Sequence, residues 1–189
     1  GGARISSRLV QRLLNDVGED PDQLPVLQHA MMRTWQRWER HRPDGSPLDL
    51  DDYEGVGTMA RALSLHADEA YLALATVRSR RIGEKLFKRL TERGTDSRET
   101  RHPTEFGELC AVAAAPAAEV LEVIDKFRDP ARSFLMPPFG SSLQDDTVVD
   151  ISHESLIRKW ERLDRWVGGE SNLFQFRAGL HCRISRVRS

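Results

Sequence analysis

The residue best placed for chemistry is His153, within the stretch Val149 to Trp160. A strand-like run ends at Ile151, and Ser152 can then cap a helix whose first turn holds His153. Unsatisfied backbone N–H groups and the positive end of the helix dipole gather in a first turn, which suits a phosphate. A histidine at such a position also serves in capping or packing. Taken alone, the residues favour that structural role over phosphate binding.

Two other patterns resemble cofactor or metal motifs but lack the required context. Gly55 to Ala60 matches the dinucleotide fingerprint G-x-G-x-x-A, but the preceding Asp49 to Glu54 is too acidic to be the buried strand that the mechanism needs. We interpret these glycines as a joint between helices. His153-Glu154 begins like a zinc-binding helix, but Ile157 stands where the second histidine belongs.

No catalytic set replaces these motifs. The 189 residues contain no G-x-x-x-x-G-K-[ST] phosphate loop, and no combination of Ser, His and an acid indicates a hydrolase. We therefore predict that this chain is not itself an enzyme.

Composition and charge exclude several classes of function. The chain has 28 Lys and Arg against 29 Asp and Glu, and its net charge of -1 excludes a chain-wide attraction to nucleic acid or anionic membrane. No apolar run approaches the roughly 20 residues of a membrane span. Two sparse cysteines, Cys110 and Cys182, fit a reducing compartment, so we expect a cytoplasmic protein with no membrane partner. Because the chain starts Gly1-Gly2 without Met, we expect it to be a fragment of a longer protein.

Helical periodicity dominates the first 76 residues. Three amphipathic helices are predicted, with an acidic stretch at 19–22 after the first and a turn-rich break at 42–47 after the second. Pro25 falls in the first turn of the second helix, and Thr58 is the predicted N-cap of the third. The expected core faces are Leu9, Val10, Leu13, Leu14 and Val17 in the first helix and Leu24, Leu27, Met31, Trp35 and Trp38 in the second.

From about Arg78 the order becomes three helices and a hairpin, which is the order of a winged helix. The strands are predicted around Ser133 to Met136 and Val148 to Ile151, and Ser152 then caps one long helix that reaches Val167. The predicted fold class is mainly α, with a helical domain followed by a winged-helix domain that has a small β-hairpin. The predicted domains are a helical domain at 1–76, a winged helix with its C-terminal helix at 77–168, and a basic segment or linker at 169–189.

A winged helix and a basic helix at 78–93 invite a DNA-binding interpretation. In that architecture the third helix usually enters the groove, and here Ala117 to Phe127 carries Glu119, Glu122 and Asp125. These acids would repel phosphates, so DNA is a disfavoured partner. We expect the basic helix to be solvated or to dock on an acidic neighbour.

Three segments follow one another in an order typical of a known family. Gln23 to Ala30, with Trp35, is similar to an "LPLLQHAL…W" segment, and Ala60 to Tyr71 is similar to a "GALSRHADEVY" element. Ile151 to Trp166 is similar to an "hAHEALLREWPRLRGW" segment, where h is an apolar residue. Together, over most of the chain from Ser7 to Val167, these segments resemble bacterial STAND NTPases of the novel STAND type.

This resemblance implies a signalling ATPase related to apoptotic ATPases and NLR-like receptors, with an ATP-binding core before the helical domain and winged helix. It implies that Pro25 of a Leu-Pro motif packs by the adenine of bound nucleotide. It also implies that His153, in a Met-His-Asp motif that here has Ser152 and Glu154, reaches the β-phosphate of ADP. The ADP or ATP, with Mg²⁺, would be held mainly by an upstream P-loop core, and none is expected to bind tightly to this chain alone.

The implied function is regulation of a switch. With ADP bound the winged helix would close onto the core, and exchange for ATP would release it and permit homo-oligomerisation. Downstream WD-type or other repeat domains are the other partners that the resemblance implies. Two alternatives from other classes remain: a winged-helix DNA-binding module and a nucleotide-independent protein-interaction scaffold.

Overall fold

The structure, a computed structural model, describes residues 4–18, 23–41, 46–93 and 99–168. This part of the chain is mainly helical with a few short antiparallel strands, which confirms the predicted mainly α class. Three predicted features lie wholly or partly outside the described residues: the acidic stretch at 19–22, most of the turn-rich break at 42–47 and the basic segment at 169–189.

The N-terminal half consists of helices alone. Ser6 accepts a hydrogen bond from the backbone N–H of Leu9 at 3.2 Å and so caps the first helix. Asp49 caps the third helix in a reciprocal capping box with Asp52. The helices are α1 (Ser7–Val17), α2 (Leu24–His41), α3 (Leu50–Gly55) and α4 (Thr58–Leu72).

The predicted core face of α2 is confirmed in part. Trp38 is buried, and Leu27 and Met31 pack partly against the core, as predicted. Leu24 and Trp35 are instead 57% and 41% exposed. The buried residues at four-residue spacing are Val26, Ala30, Thr34 and Trp38. Small side chains such as Ala30 let α4 approach α2 closely, so packing selects that face rather than the one with the largest apolar residues.

The first helix shows the same effect on a smaller scale. Leu9 is fully buried, and Leu13 and Val17 pack partly against the core. Val10 and Leu14, which were predicted to be core, are exposed. Only one narrow side of α1 contacts its neighbours, so half of its apolar stripe stays at the surface.

The C-terminal half mixes helices with short strands. The elements are α5 (Val77–Arg89), β1 (Thr91–Arg93), β2 (Glu99–Arg101), β3 (Thr104–Glu105), α6 (Phe106–Ala113), α7 (Ala117–Arg128), β4 (Leu135–Met136), β5 (Val148–Ile151), α8 (Glu154–Lys159) and α9 (161–168). The strands form one two-stranded pair, β1–β2, and one three-stranded antiparallel sheet in the order β3–β5–β4. Thr104 pairs with Val149 and Leu135 pairs with Ile151, which sets the register.

Two local features of this half differ from the sequence pattern. The pattern did not indicate the paired strands β1 and β2. The predicted long helix after Ser152 is two helices, because the backbone of Trp160 is extended, with φ -81° and ψ 98°. On α6, Phe106 and Leu109 are buried and Val112 is exposed.

Ser152 and Thr58 are not the N-caps that the sequence predicts. The residue before α8 is His153, and the hydroxyl of Ser152 instead donates to the backbone carbonyl of Ser133 at 2.6 Å. At the start of α4 the cap is Gly57, which has the left-handed backbone (φ +93°) that glycine tolerates. The Ser152 hydroxyl is thus engaged by Ser133, and a glycine occupies the cap position before α4, so neither predicted hydroxyl caps its helix.

The buried apolar residues form two clusters that meet within α4. Met59 and Ala62 belong to the N-terminal cluster with Leu9 and Trp38. Leu63, Ala67 and Ala70 of α4 belong to the larger C-terminal cluster. The domain boundaries at 76 and 168 stay predictions, and α4 contributes to both clusters.

Asp68 links α4 to the C-terminal helices. Its carboxylate accepts hydrogen bonds from Trp160 Nε1 at 2.8 Å and from Arg162 Nε at 2.7 Å. The Arg162 guanidinium also lies over the ring of Tyr71, 4.5 Å from its centroid. Burial opposes the charged carboxylate, but the bonds from Arg162 and Trp160 leave the pKa of Asp68 lowered overall.

Substitution Asp68→Asn removes the charge that pairs with Arg162 and keeps an oxygen for the indole N–H of Trp160. We expect the free energy of unfolding to fall by roughly 1–2 kcal/mol, because the ion pair is charge-assisted but partly solvated. Urea denaturation of the chain measures this loss. Asp146→Asn at an exposed carboxylate is the matched control and should change little. Equal stability of the two variants would show that the Asp68 link contributes nothing.

Candidate functional site

A pocket of about 260 Å³ lies where the N-terminal helices meet the C-terminal half. Pro25 and His29 line it from α2, Arg132 from the turn before β4, and Ser152 and His153 from the connection between β5 and α8. Both site residues that the sequence predicts, Pro25 and His153, therefore line the same pocket. Their role in binding stays a prediction.

Pro25 is the second residue of α2 and is exposed. A first-turn position suits proline, because its missing N–H would have no partner within the helix. The ring is thus held by the start of α2 at the rim of the pocket, as an apolar surface on which a flat ligand can pack.

His153 is also exposed, and its side chain makes no capping hydrogen bond to α8. The helix that follows has only six residues, so its dipole would stabilise a phosphate at its start only weakly. His153 is a candidate site residue because it lines the pocket. In the described part of the chain no hydrogen bond engages its ring nitrogens, so both face solvent or a ligand.

His29, which lines the pocket, lies beside His66, which is buried and does not line it. His66 Nδ1 lies 3.2 Å from His29 Nε2, and both rings pack against Phe134 with centroid distances of 5.1 and 5.7 Å. Burial, helped by the positive charge of Arg33, lowers the pKa of His29 to about 4 and that of His66 to about 3. Both imidazoles are therefore neutral at pH 7, and one donates its proton to the other.

The polar lining of the pocket carries no negative charge. Among the described residues that line it, none is Asp or Glu. The polar groups present are those of Gln28, His29, Arg132, His153 and three serines. Donors and cations without a carboxylate suit an anion and do not suit a metal ion.

Other features of the described residues lie away from this pocket. The Gly55 to Ala60 segment connects α3 to α4, which confirms its interpretation as a joint between helices. On α5, Arg78 pairs with Glu119 and Arg89 with Glu108, so part of its positive charge is used within the molecule. A wider groove of about 550 Å³ between α5 and the end of α6 holds neither predicted site residue.

Two further kinds of feature are absent from the described residues. No group of three or more metal-binding side chains occurs in the ranges that the structure describes. Within those same ranges no helix is long and apolar enough to cross a bilayer.

Two side chains of the pocket, those of His29 and Arg132, were not predicted from the sequence. His29 follows Pro25 by four residues, and that helical spacing could have placed both on one side of α2. Arg132 has no signal of this kind, because the turn that carries it reaches the pocket only through the pairing of β4 with β5.

The mainly helical fold, with the two predicted site residues brought to one pocket, is compatible with a STAND-class NTPase. The comparison with family models shows that class directly: residues 1–186 match the novel STAND NTPase 1 family. The chain belongs to this family. No curated protein and no solved structure matches it.

The neutral histidine pair predicts how stability depends on pH. Between about pH 6.5 and 4 the unfolded chain binds protons on His29 and His66 that the folded chain does not bind, so stability falls as the pH falls through this window. From pH 7 to 5 we expect a loss of about 1–2 kcal/mol for each buried histidine. Urea denaturation at a series of pH values measures the slope.

His66→Gln should flatten this slope, although it also lowers stability at pH 7 by disturbing the ring packing. His41→Gln at an exposed histidine on α2 is the control and should leave the slope unchanged. A slope that is the same in all three proteins would mean that the buried pair does not stay neutral in the folded state.

Proposed function

We propose that this chain is the regulatory part of a STAND-type signalling ATPase, which senses ADP or ATP held on an upstream P-loop core. The observation that carries the proposal is the pocket that holds both Pro25 and His153. These residues come from opposite ends of the chain, and the family resemblance implied nucleotide contacts for both. Family membership independently supports an NTPase as the parent protein.

The C-terminal half is, in this proposal, a winged helix. Its elements run α5, β3, α6, α7, β4 and β5, and the hairpin strands β4 and β5 form one side of the sheet. Three helices followed by a hairpin is the order that the sequence analysis expected. The β1–β2 pair is then an insertion between the first helix and the sheet.

The nucleotide would lie between this pocket and the upstream core. Pro25 would pack against the adenine, and the ring of His153 would donate a hydrogen bond to the β-phosphate of ADP. A lining of donors and cations without carboxylates supports a phosphate ligand. Mg²⁺, which needs carboxylate or phosphate oxygens, would be bound on the side of the core.

The positions of Pro25 and His153 also indicate how a bound nucleotide would control the switch. Pro25 belongs to the N-terminal helices and His153 to the C-terminal half, so a ligand that contacts both favours the arrangement in which the halves are together. By linkage, ADP stabilises the closed state only through contacts that the open state lacks. Exchange for ATP would weaken those contacts, open the molecule and permit homo-oligomerisation, with repeat domains downstream as the sensor, all in the cytoplasm.

His153→Ala in the full-length protein tests this proposal. We expect ADP to dissociate about ten- to a hundredfold faster, because a charge-assisted hydrogen bond contributes roughly 1.5–3 kcal/mol. Stopped-flow release of a fluorescent ADP analogue measures the rate. The melting temperature should hardly change, because the ring is exposed.

His41→Ala is the matched control, since it removes an exposed histidine on α2 that does not line the pocket. Its ADP release should equal that of the unmodified protein. If His153→Ala folds stably and releases ADP at the control rate, His153 does not contact the nucleotide and the proposed switch loses its sensor.

A further inference from the structure

We propose that Arg132 is a second phosphate-binding residue of this pocket, so that the terminal phosphate of a bound nucleoside diphosphate lies between Arg132 and His153. The inference rests on the proposed function and adds a residue to its site. Sequence patterns did not single out Arg132. Its position at the pocket, in the structure, does single it out.

A short rigid turn presents Arg132 to the pocket. The backbone carbonyl of Asp129 accepts hydrogen bonds from the N–H groups of Arg132 and Ser133, both at 2.8 Å. The Asp129 carboxylate accepts a third from the N–H of Ala131 at 2.9 Å. Ser133 then takes a left-handed backbone with φ +51°, and its carbonyl accepts the hydroxyl of Ser152. The turn is thus tied directly to the residue next to His153.

The guanidinium of Arg132 is held but not neutralised. Its Nη1 donates to the backbone carbonyl of Lys126 at 2.9 Å, which fixes the direction of the side chain. Within the described residues no carboxylate pairs with it, whereas Arg33 and Arg162 pair with Glu69 and Asp68. Four of its five N–H donors are left for solvent or a ligand, in a fork that matches phosphate oxygens.

The positive charge of Arg132 reaches the histidines beside the pocket. Burial is the first cause of the lowered pKa of His29 and of His66. The charges of Arg33 and His153 lower the pKa of His29 further, and those of Arg33, His29 and Arg132 lower the pKa of His66 further. No carboxylate lines the described part of the pocket to offset them. A terminal phosphate carries roughly two negative charges and three acceptor oxygens, so it can engage the Arg132 fork and the His153 ring at once.

The test compares ligands as well as variants in the full-length protein. Arg132→Ala should raise the dissociation constant for ADP about tenfold, change that for AMP less, and leave that for adenosine unchanged. Arg132→Lys keeps the charge without the fork and should lie between the two. Arg81→Ala, at an exposed arginine of α5 outside this pocket, should match the unmodified protein. Isothermal titration with ADP, AMP, adenosine and inorganic phosphate measures all four.

Four other outcomes would contradict the role that we propose for Arg132. If His153→Ala weakens ADP binding and Arg132→Ala does not, the proposed function stands and Arg132 has no part in it. If neither variant changes ADP binding, both proposals fail. Equal weakening of ADP and adenosine by Arg132→Ala would indicate a structural role. Arg132-dependent binding of inorganic phosphate that ADP does not displace would indicate a separate phosphate site.

Discussion

Trp160 is fully buried, with the rings of Phe87 and Phe127 packed against its indole at centroid distances of 4.8 and 6.0 Å. Its N–H donates to Asp68 on α4, so the same side chain belongs to the apolar core and to a polar link. The backbone of Trp160 is extended, so α8 ends there and a separate helix, α9, follows. The hydrogen bonds from Trp160 and Arg162 to Asp68 hold this junction against α4.

The pocket depends on that constraint. With α8 held against α4, the connection that carries Ser152 and His153 lies beside the start of α2. The pairing of β4 with β5 and the hydrogen bond from Ser152 to Ser133 then bring the Arg132 turn to the same place. The site is thus assembled from three separate parts of the chain, each held by its own backbone hydrogen bonds.

The charge of the pocket depends on the neutral pair His29 and His66. His29 and His66 can lie in the interior because they hydrogen-bond to each other and remain neutral, so burial costs no unpaired charge. Among the described residues that line the pocket Arg132 carries the positive charge, whereas Arg33, which lies near the histidines, is paired with Glu69. An anion completes such a surface, which is why a nucleotide phosphate is the ligand that we propose for it.

The sequence by itself determined most of the helices and the β4–β5 hairpin, since apolar periodicity and the Pro25 signal depend on neighbouring residues. Strands β1, β2 and β3 had no such local signal. It also determined the family, through three segments in order, and singled out Pro25 and His153. Which face of α2 is buried, where the last helix breaks and which residues join His153 were decided only by the tertiary structure. Close packing selects Ala30 over Leu24, the aromatic cluster around Trp160 overrides helix propensity, and Arg132 reaches the pocket only because two strands pair. These contacts join residues that are distant in the chain, so local sequence patterns do not predict them.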